Sequence, residues 1–249
     1  MSEDHIVVGR DGAVLEIGFN RPDKKNAITN SMYGVMADAV AEAQRSADIR
    51  VVLFSSVGDY FSAGNDIKDF AAQSMGAFEG PRHVGRFLEE VIKAEKPIVA
   101  AVQGHAVGVG TTMLFQCDLV YVAEDARLTV PFIDLGVVPE NASSLTMVDR
   151  LGHTRAFALF GLGEPLLGKD AAAWGLANAA LPAGEVLPRA RAAAQMLAAK
   201  PAQSMRLTKQ LMRDREALMT RMQAEGDIFA ERLKSPEAAA AFAAFLQKR

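Results

Sequence analysis

Residues 96–121, KPIVAAVQGHAVGVGTTMLFQCDLVY, constrain the fold more than any other stretch. Pro97 opens a short continuous apolar run at 98–102, which predicts a buried strand. Gly104, Gly108 and Gly110 then mark a turn. Residues 111–117 lack Gly and Pro and are mostly apolar, which predicts a buried helix; 119–122 predict a second buried strand. A strand, a Gly-rich turn and a helix leave backbone N–H groups unpartnered at a helix N-terminus, where the dipole favours negative charge. An oxyanion could occupy that place. A plain β–turn–α crossover has the same pattern, and a Gly-rich turn alone does not separate the two.

A second turn repeats the design. Phe61-Ser62-Ala63-Gly64-Asn65-Asp66-Ile67 follows a buried strand predicted at 51–54 and runs into helix-compatible sequence at 67–72. Small residues let backbone approach a ligand with its N–H groups free. Two convergent donors are what an oxyanion hole requires. On the spacing alone, two ordinary βα turns are the favoured reading.

The flanking sequence supplies the rest of an α/β architecture. Residues 6–8 and 13–19 flank Asp11-Gly12, a hairpin signal, and 20–23 form a turn. Residues 24–27 are polar and expected to be exposed. Met32, Val35, Met36, Ala39, Val40 and Ala43 make an amphipathic helix capped by Thr29, Asn30 or Ser31. Val84, Phe87, Leu88, Val91 and Ile92 make another, after an irregular connection at 76–81. A strand is predicted at 126–130, a loop at 131–144, and helices at 145–151, 154–160 and 169–174. Beyond residue 187 the composition shifts to Ala, Met, Arg and Lys. One helix is expected at 188–199. Leu207, Leu211, Leu218, Met222, Phe229 and Leu233 line one or two more. Ser235-Pro236 starts a last helix, with Phe242, Phe245 and Leu246 on one side. The repeated strand–turn–helix pattern suggests a stacked spiral.

Charge and cysteine content narrow the function. Lys plus Arg number 27 against 30 Asp plus Glu, so no basic excess points to nucleic acid or to a membrane surface. No run approaches about 18 consecutive apolar residues. The acidic N-terminus reads as no signal peptide, so a cytoplasmic protein is expected. Cys117, the only cysteine, lies in the apolar helix and reads as an inert thiol. His105 reads as a turn-end histidine, and no cluster has metal-ligand spacing.

Taken together, the motifs resemble the crotonase superfamily, the enoyl-CoA hydratase/isomerase group. They are NRPDKKNAI at 20–28, FSAGNDIKDF at 61–70, GHAVGVG followed by CDLVYVAEDA, and GLGEPLLGKDAAAWGLANAALP at 161–182. The resemblance implies an α/β fold with a spiral core of ββα turns and a C-terminal helical trimerisation region. The division expected is 1–186 for the core with its acyl-CoA site and 187–249 for the oligomerisation helices. It implies an acyl-CoA thioester as substrate, CoA being part of that substrate and not a cofactor. A homotrimer or a dimer of trimers is expected. The thioester oxygen would sit between the N–H groups of Asn65 and Val109. Lys24, Lys25, Ala27, Ala63, Asp66 and Ile67 match the family's adenine and pantetheine contacts. Without the resemblance, Lys24 and Lys25 read equally as a solvated turn.

The catalytic carboxylates differ from a hydratase's. The two water-activating glutamates would fall at Thr112 and Phe132. Instead, VPENASS at 138–144 resembles the PEGCSS segment of peroxisomal-type 3-enoyl-CoA isomerases, whose Glu is the base; the match is Glu140, with Asn141-Ala142 in place of Gly-Cys. On residue type alone Glu140 is a solvated loop carboxylate, and Asp134 and Asp149 are equal candidates. Phe132, Ile133, Leu135, Val137 and Val138 are expected to keep water from it. The resemblance implies isomerisation of 3-enoyl-CoA to 2-enoyl-CoA. The alternatives are hydration, another crotonase reaction, or acyl-CoA binding without turnover.

Overall fold

The computed structural model describes residues 5–67, 69 and 80–247, with side chains described through residue 244. The helix expected at 67–72 and the connection at 76–81 lie mostly outside the described residues, as do the side chains of Phe245 and Leu246.

Strand β1 (Ile6–Asp11) turns back at Gly12 into β2 (Val14–Phe19), antiparallel, as the hairpin signal predicts. Three successive strand pairs then build the spiral. These are β3 (Val51–Ser56) with β4 (Tyr60–Ser62), β5 (Ile98–Val102) with β6 (His105–Val107), and β7 (Leu119–Ala123) with β8 (Arg127–Thr129). The first strand of each pair joins one sheet and the second joins another. With β9 (Leu166–Leu167) and β10 (Ala179–Leu181), the sheet orders are β1-β2-β3-β5-β7-β10 and β4-β6-β8-β9. All links from β2 to β10 in the larger sheet are parallel. Such strands are covered on both faces, so they carry continuous apolar runs. Every residue of β3 and β5 is accordingly buried.

Helix α1 (Asn30–Arg45) starts at Thr29, whose hydroxyl accepts the Met32 N–H. Its inner face is Met32, Tyr33, Met36, Val40 and Ala43, packed on α2 (His83–Lys93). Val35 is 44 % exposed, so the expected stripe is corrected: Tyr33 takes the inward place. The helix expected at 111–117 is α3 (Val109–Thr112), tightening to a 3-10 turn at Met113–Gln116. The expected loop at 131–144 contains a 3-10 turn, Ile133–Leu135, and ends where α4 (Ser143–Leu151) begins. Helices α5 (His153–Gly161) and α6 (Gly168–Ala173) follow.

Helix α7 (Ala183–Ala198) begins five residues before Pro188, which lies inside it. The expected start at 188 is corrected. Proline suits a first turn, but here the lost backbone bond is offset by burial of Val186, Ala190, Ala193 and Ala194. Residue 187 therefore falls within a helix packed on β3, β5 and β7. Helices α8 (Ala202–Met212), α9 (Arg215–Arg232) and α10 (Pro236–Gln247) complete the chain. Within one chain α9 contacts α2 and α4, and α10 contacts Ile133–Leu135.

The expectation that 24–27 is exposed holds for Lys24 and Lys25 but not for Asn26, which is fully buried. Its Oδ1 accepts the Arg21 N–H at 2.8 Å, and its Nδ2 donates to Val57 O at 2.8 Å and Tyr60 O at 2.7 Å. This amide ties the turn after β2 to the β3–β4 connection. Asn26→Ala should lower stability by roughly 2–3 kcal/mol, because three bonds go and alanine disfavours the left-handed φ of 53° found there. Thermal denaturation should register a fall in Tm of roughly 5 °C or more; an unchanged Tm would show the bonds to be dispensable.

Candidate active site

The two glycine turns meet at the end of the smaller sheet, where β4 pairs with β6. Gly64 has φ +82°, and a Cβ on it would lie 2.7 Å from Val107 O. A Cβ on Gly110 would lie 2.9 Å from both Ser62 Cβ and Ser62 O. The turns thus pack backbone against backbone, at a separation that only glycine permits. A parallel bridge fixes the first turn from its other side: Ile28 N–H donates to Gly64 O at 2.8 Å, and Asp66 N–H donates to Ile28 O at 2.9 Å. In such a bridge the N–H of the middle residue, Asn65, faces away from residue 28. Val109 opens α3, so its N–H is one of the donors a helix start leaves over. Neither N–H has an acceptor among the described residues.

Glu140 is bonded to the second turn's helix, and its charge acts on a residue bonded to the first turn. Its Oε1 accepts the Thr112 hydroxyl at 2.5 Å, and Thr112 lies one turn after Val109 on α3. Tyr33 Oη donates to Asn65 Oδ1 at 2.6 Å. Burial holds the Tyr33 hydroxyl well above its ordinary pKa, and the nearby Glu140 charge raises it further. Burial also pushes the Glu140 carboxyl up to about 7; the Thr112 bond pulls it down and the Glu225 charge pushes it up again. By residue exposure Glu140 is half-buried, and its carboxyl is more basic than that of a solvated side chain.

The expectation of a solvated Glu140, drawn from residue type alone, is corrected by that environment. Asp134 and Asp149 are the exposed ones. Thr112, at the place of the first hydratase glutamate, is buried and bonded to Glu140. Phe132, at the place of the second, packs its ring against Phe160 with centroids 6.4 Å apart. Of the apolar residues expected around Glu140, Phe132 and Val137 are buried and Leu135 and Val138 half-buried, but Ile133 is 52 % exposed and lies outside any such screen.

The residues matched to the nucleotide end lie together beside the first turn. Ala63 N–H donates to Lys25 O at 2.9 Å, and the Arg21 guanidinium donates to Ala27 O at 3.0 Å and to Asp66 Oδ2 at 2.7 Å. Lys24 and Lys25 are exposed, with Lys25 Nζ 5.1 Å from the Tyr60 ring centroid; Ala27, Ala63, Asp66 and Ile67 are half-buried. His105 Nδ1 accepts the Arg127 N–H at 3.1 Å and its ring meets Tyr60 edge-on, so it fastens a turn. Burial pushes the Cys117 thiol up to about 12, which keeps it protonated. Sequence reasoning missed Tyr33, Arg21 and Glu225. Tyr33 sits beside an apolar stripe, where an aromatic reads as core.

The family model described as Enoyl-CoA hydratase/isomerase matches residues 9–249. The chain belongs to that family. Its fold is the crotonase fold: the structure of Pseudomonas aeruginosa OdaA superposes with a TM-score of 0.93 at 44 % identity, covering 98 % of this chain and 99 % of that one. A probable enoyl-CoA hydratase of Bacillus subtilis (strain 168) is 30 % identical, covering 100 % of this chain and 97 % of that protein. The enoyl-CoA delta isomerase 2 of Rattus norvegicus is 36 % identical over 219 residues, covering 85 % of this chain and 55 % of that protein. The chain thus spans about half the length of that relative. The similar proteins thus include one named as an enoyl-CoA isomerase and one named as a probable enoyl-CoA hydratase.

The raised carboxyl has a cost that depends on pH. Below the ordinary carboxyl value of 4.5, Glu140 is protonated folded or unfolded, and nothing is lost. Between 4.5 and about 7 the unfolded state ionises first, so stability falls as pH rises and stays lower above about 7. Glu140→Gln is neutral throughout. Its Tm should exceed that of the native protein by roughly 5 °C at pH 8 and by little at pH 5. Equal melting at pH 8 would mean that the carboxylate is not held in low dielectric.

Proposed function

We propose that the protein converts a 3-enoyl-CoA into a trans-2-enoyl-CoA, with Glu140 as its single mobile base. The observation that carries this reading is the Thr112–Glu140 hydrogen bond. The residue at the place of the first hydratase glutamate is a donor to the candidate base, and Phe132 stands at the place of the second. Hydration needs a water held and activated, commonly by two groups; a 1,3-proton shift needs one base that reaches both carbons.

The steps follow from the arrangement. The Glu140 carboxylate takes a proton from carbon 2. The electrons of that C–H bond form a double bond between carbons 1 and 2, and the carbonyl π pair moves to oxygen. The dienolate oxygen is stabilised by the N–H groups of Asn65 and Val109, donors fixed before the charge develops. The oxygen pair then re-forms the carbonyl, a double bond forms between carbons 2 and 3, and the former C3–C4 π pair takes the proton from Glu140 at carbon 4. The step needs no oxidant, reductant or cofactor; CoA is the handle of the substrate. The strip from Lys24 and Lys25 through Ala27 to Ala63, Asp66 and Ile67 would hold that handle.

Self-association as a homotrimer or a dimer of trimers belongs to the same proposal. Its support is the exposure of apolar residues at the end of α8, Leu211 at 90 % and Met212 at 81 %.

Glu140→Gln keeps the side-chain shape and removes the base. Its kcat for 3-enoyl-CoA should fall on the order of a hundredfold or more, with acyl-CoA affinity little changed by calorimetry. In the native protein, kcat/KM should decline as pH falls through about 7, where Glu140 takes up its proton. Hydration of 2-enoyl-CoA, followed by loss of enoyl absorbance, should be slow or absent. Isomerisation at the native rate by Glu140→Gln would overturn the assignment; rapid hydration would point to a hydratase instead.

A further inference from the structure

The backbone that carries Glu140 is one its own sequence does not favour. Asn141 has φ 65° and Ala142 has φ 55°, two consecutive left-handed residues without a glycine. Asparagine tolerates this region through its short polar side chain, but alanine is strained there and has no side-chain hydrogen bond to offset it. Both are buried, and neither amide atom of the Asn141 side chain has a partner among the described residues. Ala142 is also the N-cap position of α4, where it offers no side-chain acceptor. The loop must be held by other parts of the chain.

Two groups hold it. On the inner side, Gln116 Nε2 donates to Asn141 O at 2.5 Å. On the outer side, Glu225 of α9 accepts the Ser144 N–H at 2.8 Å with its Oε1. This is the bond that a capping side chain at position 142 would otherwise make to the second helical residue. Arg221, one turn earlier on α9, has Nη1 3.5 Å from Ser144 Oγ. Glu225 is only 5 % exposed, and its Oε2 has no partner among the described residues. A serine or asparagine could cap α4 with less desolvation than a buried carboxylate.

We propose that Glu225 is a positioning residue for the base: from α9 it caps α4, fixes the left-handed pair Asn141–Ala142 and so sets where Glu140 points and how basic it is. This rests on reading Glu140 as the base. The titratable group that acts on Glu140 is Glu225 from α9, and Thr112 from α3 is its hydrogen-bond donor; the Glu140 charge acts in turn on Tyr33 from α1. Glu225 is itself raised by burial, and pulled down by Ser144, by the Ala142 N–H and by Arg221 on its own helix. A carboxylate there adds to the retention of the Glu140 proton near neutrality. An amide would keep an acceptor for Ser144 and remove the charge. Alanine would remove both.

The test follows the carboxyl itself. In protein labelled with 13C at glutamate side chains, the Glu140 signal is identified by its absence in Glu140→Gln and then titrated in the native protein, Glu225→Gln and Glu225→Ala. The Glu140 midpoint should drop by about half a unit or more in Glu225→Gln. The acid limb of the isomerisation profile should move with it. In Glu225→Ala, kcat should fall about tenfold or more with KM changed far less, and Glu225→Gln should retain more kcat than Glu225→Ala. If Glu225→Ala does not fold, Glu225→Gln alone carries the titration. A Glu140 midpoint unchanged in Glu225→Gln overturns the inference, whatever the activity. A shifted midpoint in a protein that isomerises nothing upholds the coupling and refutes the proposed reaction instead.

Discussion

The site depends on one contact, the backbone-to-backbone approach of the two glycine turns. Gly64 lies against Val107 O and Gly110 against Ser62, and neither position has room for a side chain. That approach follows from the spiral. Each strand pair delivers its second strand to the smaller sheet, so β4 and β6 become neighbours and their following turns come together. The bridge at Ile28 and the start of α3 then leave one N–H from each turn over. The donors are backbone groups, so side chains at 65 and 109 are free to do other work. Asn65 uses this freedom to accept the Tyr33 hydroxyl, which feels the charge of Glu140.

A second constraint opposes the first. The two N–H groups left over by the turns favour negative charge, whereas burial of Glu140 disfavours it, and the neighbouring Glu225 adds to the penalty. Thr112 offsets part of that penalty with one hydrogen bond. The outcome is a carboxyl pushed up from the ordinary 4.5 to about 7. Such a group can hold a proton between its removal from one carbon and its delivery to another, which a solvated carboxylate would release to water. The desolvation also lowers stability wherever the carboxyl is ionised.

Local pattern made much of the frame legible. The run at 98–102 is β5 with the same ends, because five apolar residues before a glycine turn admit a buried strand and little else. The hairpin at Asp11-Gly12 and the caps at Thr29 and Ser235 follow from the chemistry of single residues. The start of α7 was not legible, since Pro188 reads as a first helical residue and only packing on three strands shows otherwise. Asn26 reads as a solvated turn residue; its burial depends on carbonyls 31 and 34 residues away. Resemblance singled out Glu140, but its environment comes from contacts that no local window contains. Tyr33 reaches Asn65 across 32 positions and Glu225 reaches Ser144 across 81.

The central claim is that one carboxyl carries a proton from carbon 2 to carbon 4 of the same substrate. The most direct measurement uses 3-enoyl-CoA deuterated at carbon 2, turned over once in excess enzyme, with the product read by mass spectrometry and NMR. The account predicts trans-2-enoyl-CoA with a measurable share of the deuterium at carbon 4. A product whose carbon 4 hydrogen comes wholly from water, or a 3-hydroxyacyl product, would contradict it.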